Sequence, residues 1–180
     1  MNTITVGDRK FVKYILENEI EAAVDRVAAA VNEEYKNDTP VILLVLNGSV
    51  IFGADLLKRL EMPCKLCCVK VSSYVGTKST DKMKQLIGLS EDVTDKRVLV
   101  IEDIIDTGNT LKKLKEMLLE RQPASVRICT AFDKPDRRVN DLVPDFNGIV
   151  IPDKFIVGYG LDFDGQYRNF KDVRIVSFIE

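Results

Sequence analysis

Apolar and polar positions along this chain follow two different periods, and the switches between them mark its elements. From Glu17 to Tyr35, the residues Ile20, Val24, Val27, Ala28 and Val31 recur at the three- and four-residue spacing of an amphipathic helix. Pro40 then resets the chain before Val41-Ile-Leu-Leu-Val-Leu46, a run apolar on both faces, as a central parallel strand must be. Asn47-Gly48-Ser49 turns this strand into a second predicted helix, Val50 to Leu60, with apolar residues at 51, 52, 56, 57 and 60. Pro63 precedes a strand predicted from Lys65 to Val71. Val98-Leu-Val-Ile101 opens the next strand, a helical pattern follows through Leu119, and Val126 to Phe132 reads as a further strand.

Strand–helix alternation of this kind predicts a mostly parallel, right-handed sheet covered on both faces. Between them, residues 72–85 are polar and rich in small side chains, a pattern suited to a mobile functional loop or an exposed hairpin. The final third is punctuated by Pro135, Pro144, Gly148, Pro152, Gly158, Gly160 and Gly165, with short strands expected at 155–157 and 173–178. It reads as a small subdomain capping the sheet. The expectation is a single domain over residues 1–180, with a core at about 17–135 and a hood mainly at about 145–180 together with the N-terminal end.

Composition changes this picture mainly by exclusion. A chain of 180 residues can bury a full core in one domain. Its 26 basic and 28 acidic residues nearly cancel, for a net charge of −2, so no broad basic surface points to nucleic acid. No apolar run reaches the roughly 20 residues that span a bilayer, and no signal-peptide core opens the chain, so a cytoplasmic protein is expected. Cys64, Cys67, Cys68 and Cys129 lie in apolar runs and read as reduced, packed thiols rather than a zinc site. Histidine is absent altogether, which excludes Ser-His-Asp and Cys-His nucleophile systems and histidine-bound metals. Acid–base work therefore falls to carboxylates, lysines, tyrosines or the substrate.

Most of the chemistry is concentrated in Val98-Leu-Val-Ile-Glu-Asp-Ile-Ile-Asp-Thr-Gly-Asn-Thr-Leu111. A buried strand runs into Glu102 and Asp103, then into Asp106-Thr107-Gly108-Asn109-Thr110 and a helix N-terminus. Ligands of open α/β sheets bind at the carboxyl ends of strands. The free N–H groups of a helix start favour a dianion there by about 1 kcal/mol from the dipole alone. Two acids beside a phosphate repel it unless they face sugar hydroxyls or a divalent cation, so an anionic, hydroxyl-bearing ligand with Mg²⁺ satisfies both features. On spacing alone, Asp106 could instead be a plain helix N-cap. Neither a Walker loop nor a G-x-G-x-x-G fingerprint occurs.

This segment resembles the 5-phosphoribosyl-1-pyrophosphate (PRPP) signature of the type I phosphoribosyltransferases. Its Glu-Asp-Ile-Ile-Asp-Thr-Gly core is similar to the hypoxanthine-guanine branch of purine salvage. Other segments agree in the same order. Leu46-Asn47-Gly48-Ser49 resembles the pyrophosphate turn, Ser73-Tyr74 the opening of the mobile catalytic loop, and Phe132-Asp-Lys134-Pro the purine-contacting lysine segment. Pro152-Asp-Lys-Phe155-Ile156-Val-Gly-Tyr-Gly-Leu-Asp162, with Arg168 beyond, resembles the base-stacking and pyrophosphate segment.

The resemblance implies an α/β phosphoribosyltransferase fold with a C-terminal hood, and transfer of the phosphoribosyl group from PRPP to a 6-oxopurine. It implies Asp106 as proton acceptor at the purine N7, and Thr107, Gly108, Asn109 and Thr110 beside it around the 5′-phosphate. Glu102 and Asp103 would take the ribose hydroxyls, directly or through Mg²⁺, with Asp162 as a further metal contact. Asn47, Gly48 and Arg168 would meet pyrophosphate. Lys134, Phe155, Ile156 and Asp162 would read the base, and Ser73-Tyr74 would close over it. It further implies a homodimer or homotetramer without nucleic-acid or membrane partners. Asn47 and Asn109 depart from the pattern, standing where many relatives carry lysine, which bears on pyrophosphate affinity. Two other readings differ in class: a nucleotide-binding regulator on the same fold, and a phosphoribosyltransferase for another base.

Overall fold

The computed structural model describes residues 3–72 and 84–178. Six strands form the central sheet: β3 (Val41–Leu46), β4 (Lys65–Ser72), β5 (Lys84–Ile87), β6 (Arg97–Ile105), β7 (Ser125–Asp133) and β8 (Phe146–Val150), in the order β5-β4-β3-β6-β7-β8. All neighbours pair in parallel except β5, which runs antiparallel to β4 at one edge. From β3 the chain steps outward to β4, then returns to the far side of β3 and continues in the opposite direction through β6 and β7. The reversal falls between β3 and β6, where the carboxyl ends diverge and a ligand crevice opens.

The continuous apolar runs become strands buried on both faces. Ile42, Leu44, Leu99 and Ile101 pack beneath α1 (Glu17–Tyr35) and α2 (Val50–Leu57), with Val24, Val27, Val31, Phe52 and Leu56. Val41, Leu43, Val45, Val98 and Val100 face the other way, onto Leu111, Leu114 and Leu118 of α3 (Asn109–Leu119). Each such side chain contributes about 1.5–3 kcal/mol when fully buried, so β3 and β6 are pinned from both sides. The loops at their ends therefore start from rigid positions.

Three boundaries differ from the pattern. The second helix ends at Leu57 rather than Leu60, because Arg59 N bonds Leu56 O and Leu60 N bonds Leu57 O, a tightened last turn. β8 was not expected, and it reaches β7 in parallel through a single 3-10 turn at Pro135–Arg137 rather than a full helix. The third difference is at the N-terminus, where β1 (Thr3–Val6) and β2 (Arg9–Ile15) form a hairpin. This hairpin joins β10 (Val173–Phe178) and β9 (Ile156–Val157) in a four-stranded antiparallel sheet, order β1-β2-β10-β9.

The four cysteines are free, with Cys67 and Cys129 buried. Among the described residues no helix is long and apolar enough to cross a membrane.

Candidate active site

A cavity of about 300 Å³ opens where the carboxyl ends of β3 and β6 part. Its walls come from Val45, Leu46 and Gly48 on one side and from the continuous stretch Glu102 to Gly108 on the other. Thr110 and Leu111 of α3 complete that side, and Asp162 and Arg168 close it from the 158–168 segment. Sequence positions separated by more than a hundred residues thus meet in one crevice.

The turn after β3 is fixed first. The Leu46–Asn47 peptide is cis. Ser49, fully buried, donates its hydroxyl to Val45 O at 2.7 Å, tying the start of α2 back to the strand. Gly48 is glycine for a steric reason: a Cβ there would lie 1.5 Å from Asp103 Oδ2. Gly160, at φ +98°, approaches from the opposite side, so that a Cβ would lie 2.1 Å from Gly48 O. Two glycines and one carboxylate are thus stacked with no room for a Cβ at either glycine.

The acids follow. Asp103 Oδ1 accepts from Ile104 N at 2.7 Å, and Glu102 Oε1 lies 3.3 Å from Asp103 N. Burial pushes the Glu102 carboxyl well above its ordinary range, and the neighbouring Asp103 adds to this. Burial also raises Asp103, with hydrogen bonds from Glu102 and Ile104 N and the charge of Arg168 holding it back. Two enclosed carboxyls that disfavour joint ionisation suit a site where positive charge or hydroxyl donors arrive with the ligand.

Asp162 does not join them in a preformed cage. Its Oδ1 lies 2.7 Å from Arg168 Nη2 and its Oδ2 accepts from Gly165 N at 2.8 Å. Arg168 Nη1 donates to Gly160 O at 2.7 Å. Among the described residues no three ligating side chains converge to hold a metal. The donor set still fits Mg²⁺, which commonly takes one or two carboxylates and completes its shell with water and substrate phosphate oxygens.

The loop after β6 ends in Gly108, which adopts φ +82° before the first turn of α3. A Cβ at Gly108 would meet Asn140 Oδ1 at 2.8 Å and Arg138 Cδ at 2.9 Å. The first internal bond of the helix is Lys112 N to Gly108 O, which leaves the earlier N–H groups directed toward the loop. Asp106 is not an N-cap, because α3 has no side-chain cap. Its Oδ1 instead accepts from Arg137 Nε at 3.1 Å.

Sequence reasoning missed the segment that packs on this loop. Arg138 Nη1 donates to Asp106 O at 2.9 Å and its other arm pairs with the buried Asp133. Asn140 Nδ2 reaches Thr107 O at 3.2 Å and Asn109 Oδ1 at 3.1 Å. The signal available was the Arg137-Arg138 pair three residues after Lys134, a local cluster of positive charge.

Of the other expected residues, Lys134 is buried, not a surface lysine, and its N bonds Ile105 O at 3.0 Å, directly beside Asp106. Ile156 is buried, whereas Phe155 is 55% exposed and meets Phe163 edge-on at 5.8 Å. Lys134, Phe155, Ile156, Asn47 and Asn109 stand outside the wall of the cavity between β3 and β6. Ser73 and Tyr74 lie outside the described residues.

Known proteins resemble this chain along most of their length. The phosphoribosyl transferase domain family matches residues 12–164. A hypoxanthine phosphoribosyltransferase of Salmonella typhimurium is 41% identical over 169 residues, spanning 92% of this chain and 95% of that one. A hypoxanthine-guanine phosphoribosyltransferase of Lactococcus lactis is 40% identical over 164 residues, 91% of this chain and 89% of that one. Among solved structures, a hypoxanthine-guanine phosphoribosyltransferase of Bacillus anthracis superposes with TM-score 0.85 at 35% identity, covering 92% and 96% of the two chains. A Staphylococcus aureus hypoxanthine phosphoribosyltransferase gives 0.87 at 36% identity, covering 92% and 90%. The chain belongs to the phosphoribosyltransferase family, within its hypoxanthine-guanine branch.

Proposed function

We propose that this protein transfers the 5-phosphoribosyl group of PRPP to N9 of hypoxanthine or guanine, releasing pyrophosphate. The single observation that carries the reading is the crevice at the β3–β6 divergence. It joins a helix-start phosphate loop, two enclosed acids and an Arg168–Asp162 pair facing the Gly48 turn.

In this reading the loop Asp106 to Thr110 holds the 5′-phosphate through N–H groups and hydroxyls, as helix starts bind anions generally. Glu102 and Asp103 hold the ribose hydroxyls and, with substrate oxygens, Mg²⁺. When bound, the ion supplies positive charge against the pyrophosphate. The Asn47-Gly48 turn and Arg168 hold the leaving group, Arg168 through a forked charge-assisted contact. The bond from C1 of the ribose to pyrophosphate breaks as the bond to purine N9 forms, and C1 carries positive charge between them.

Asp106 accepts the N7 proton, a general-base contribution on the order of 10²-fold. Lys134 donates to O6, which favours 6-oxopurines over adenine because adenine presents no acceptor there. Phe155 stacks on the base, Ile156 reads its edge through the backbone, and Asp162 flanks it as a further contact for base or metal. Ser73 and Tyr74 close over the site to keep water from the ribosyl cation. A cytoplasmic homodimer or homotetramer is the assembly we expect.

Titration calorimetry with PRPP tests the assignment of the acids. Wild-type protein should bind PRPP more tightly with Mg²⁺ than without it, and Asp103→Asn should lose most of that gain. Equal affinity in all three conditions would remove Glu102 and Asp103 from the ribose and metal roles.

A further inference from the structure

Two charges assigned to base recognition are immediate neighbours. Ile105 pairs with Asp133 across β6 and β7, and Lys134 N bonds Ile105 O at 3.0 Å, so Asp106 and Lys134 leave adjacent strand ends side by side. They also address adjacent groups on one edge of the purine. An ammonium and a carboxylate set so close attract one another, and a direct pair would withdraw both from the base.

Each has a counter-charge of its own instead. Arg137 Nε donates to Asp106 Oδ1 at 3.1 Å, and Asp153 Oδ1 stands 4.0 Å from Lys134 Nζ. Arg137 Nη1 and Asp153 Oδ2 approach each other at 3.7 Å, which joins the four residues in a chain of alternating charge. Local structure sets this up. The Pro135–Arg137 turn, closed by Arg137 N to Lys134 O at 3.1 Å, carries Arg137 back toward Asp106. Arg138 anchors the same turn through Asp106 O and Asp133. The side chains of Arg137 and Asp153 are 47% and 57% exposed, while that of Lys134 is only 9% exposed. The two ends of the chain are the groups proposed to meet the base, and the middle pair is half exposed.

We infer that Arg137 and Asp153 are positioning residues for base recognition: Arg137 holds the Asp106 carboxylate with its second oxygen free for the purine N7–H, and Asp153 holds the Lys134 ammonium away from Asp106. This rests on the roles proposed above for Asp106 and Lys134.

Steady-state kinetics of Arg137→Gln, Asp153→Asn and the double variant provide the test, with hypoxanthine and PRPP varied separately. Both side chains are half exposed, so neither change removes core packing. Each single substitution should raise the hypoxanthine KM about two- to five-fold, the size of a partly exposed ion pair, and leave the PRPP KM unchanged. The double variant should fall short of the product of the singles, and Arg137→Lys should restore most of the loss. Wild-type hypoxanthine KM in both singles would overturn the inference, as would equal rises in both KM values. Asp106→Asn and Lys134→Ala are measured alongside. If these two cripple turnover while Arg137→Gln and Asp153→Asn keep the wild-type hypoxanthine KM, only the positioning roles fall. If they leave turnover untouched, the base-recognition reading falls and the inference with it.

Discussion

Replacing Gly160 by alanine puts the join between the sheet and the 158–168 segment under a defined load. Gly160 holds φ +98°, and an added Cβ would sit 2.1 Å from the carbonyl oxygen of Gly48, 0.9 Å inside the 3.0 Å that real Cβ contacts respect. The obstacle is backbone, held in turn by Ser49 on Val45 and by Asp103 against Gly48, so no side chain can rotate away. The positive φ alone costs about 1–3 kcal/mol for a residue with a side chain. In a domain of this size that lowers Tm by roughly 3–10 °C. Relief of the overlap moves Gly160 and Gly48 apart by about an ångström, and Arg168 moves with Gly160 because it bonds that residue's carbonyl at 2.7 Å. A misplacement of that size between groups proposed to hold one leaving group can lower turnover on the order of 10²-fold. Differential scanning calorimetry and steady-state kinetics read both effects. A Gly160→Ala protein with wild-type Tm and wild-type PRPP kinetics would refute the packing of Gly160 on the Gly48 turn.

Gly48→Ala meets a side chain rather than backbone, so it should displace Asp103 and raise the PRPP KM at least tenfold while lowering Tm less than Gly160→Ala; the reverse order in calorimetry would contradict this. Glu102→Gln should stabilise the ligand-free protein. Burial and Asp103 raise the Glu102 carboxyl above its ordinary 4.5, so its contribution to stability is present below that value and is lost as pH rises through the folded value. The variant should therefore melt higher than wild type at pH 8 and lose that advantage near pH 4; a lower Tm at pH 8 would contradict the sign. Asp172 behaves in the opposite way. Burial pushes its carboxyl up, but hydrogen bonds from Arg174 and Lys13 more than offset this and hold it below its ordinary 3.8. That stability is present above 3.8 and lost as pH falls through the folded value. Asp172→Asn should lower Tm at neutral pH and flatten its decline toward pH 3, and an unchanged slope would remove the linkage.

The parts of the fold legible in the sequence are those where one physical demand dominates. β3 and β6 must be apolar on both faces, and α1 must carry an apolar stripe, so their patterns are unambiguous. The β1–β2 hairpin was hidden because its two faces are not chemically distinct. Phe11 and Ile15 point inward, but Val12 and Tyr14 on the other face are also apolar and exposed, which blurs the alternation. Its turn, Gly7-Asp8 with Gly7 at φ +60°, was the readable clue. β8 was hidden for another reason. Asn147-Gly148 reads as a turn, yet Gly148 lies in β8 and must be glycine there because a Cβ would lie 2.5 Å from Ala131 O. At the site, the acids and loop could be placed from the strand–loop–helix order alone. The contacts of Arg137, Arg138 and Asn140 could not, because they depend on how the chain folds back after β7.

In the proposed reading this crevice makes nucleotide from PRPP and a 6-oxopurine. The protein is incubated with PRPP, Mg²⁺ and hypoxanthine, guanine, xanthine or adenine in turn, and nucleotide and pyrophosphate are quantified. Equal amounts of nucleotide and pyrophosphate are expected with hypoxanthine, guanine or both, and none with adenine. Nucleotide from adenine alone, or from none of the four, would contradict it.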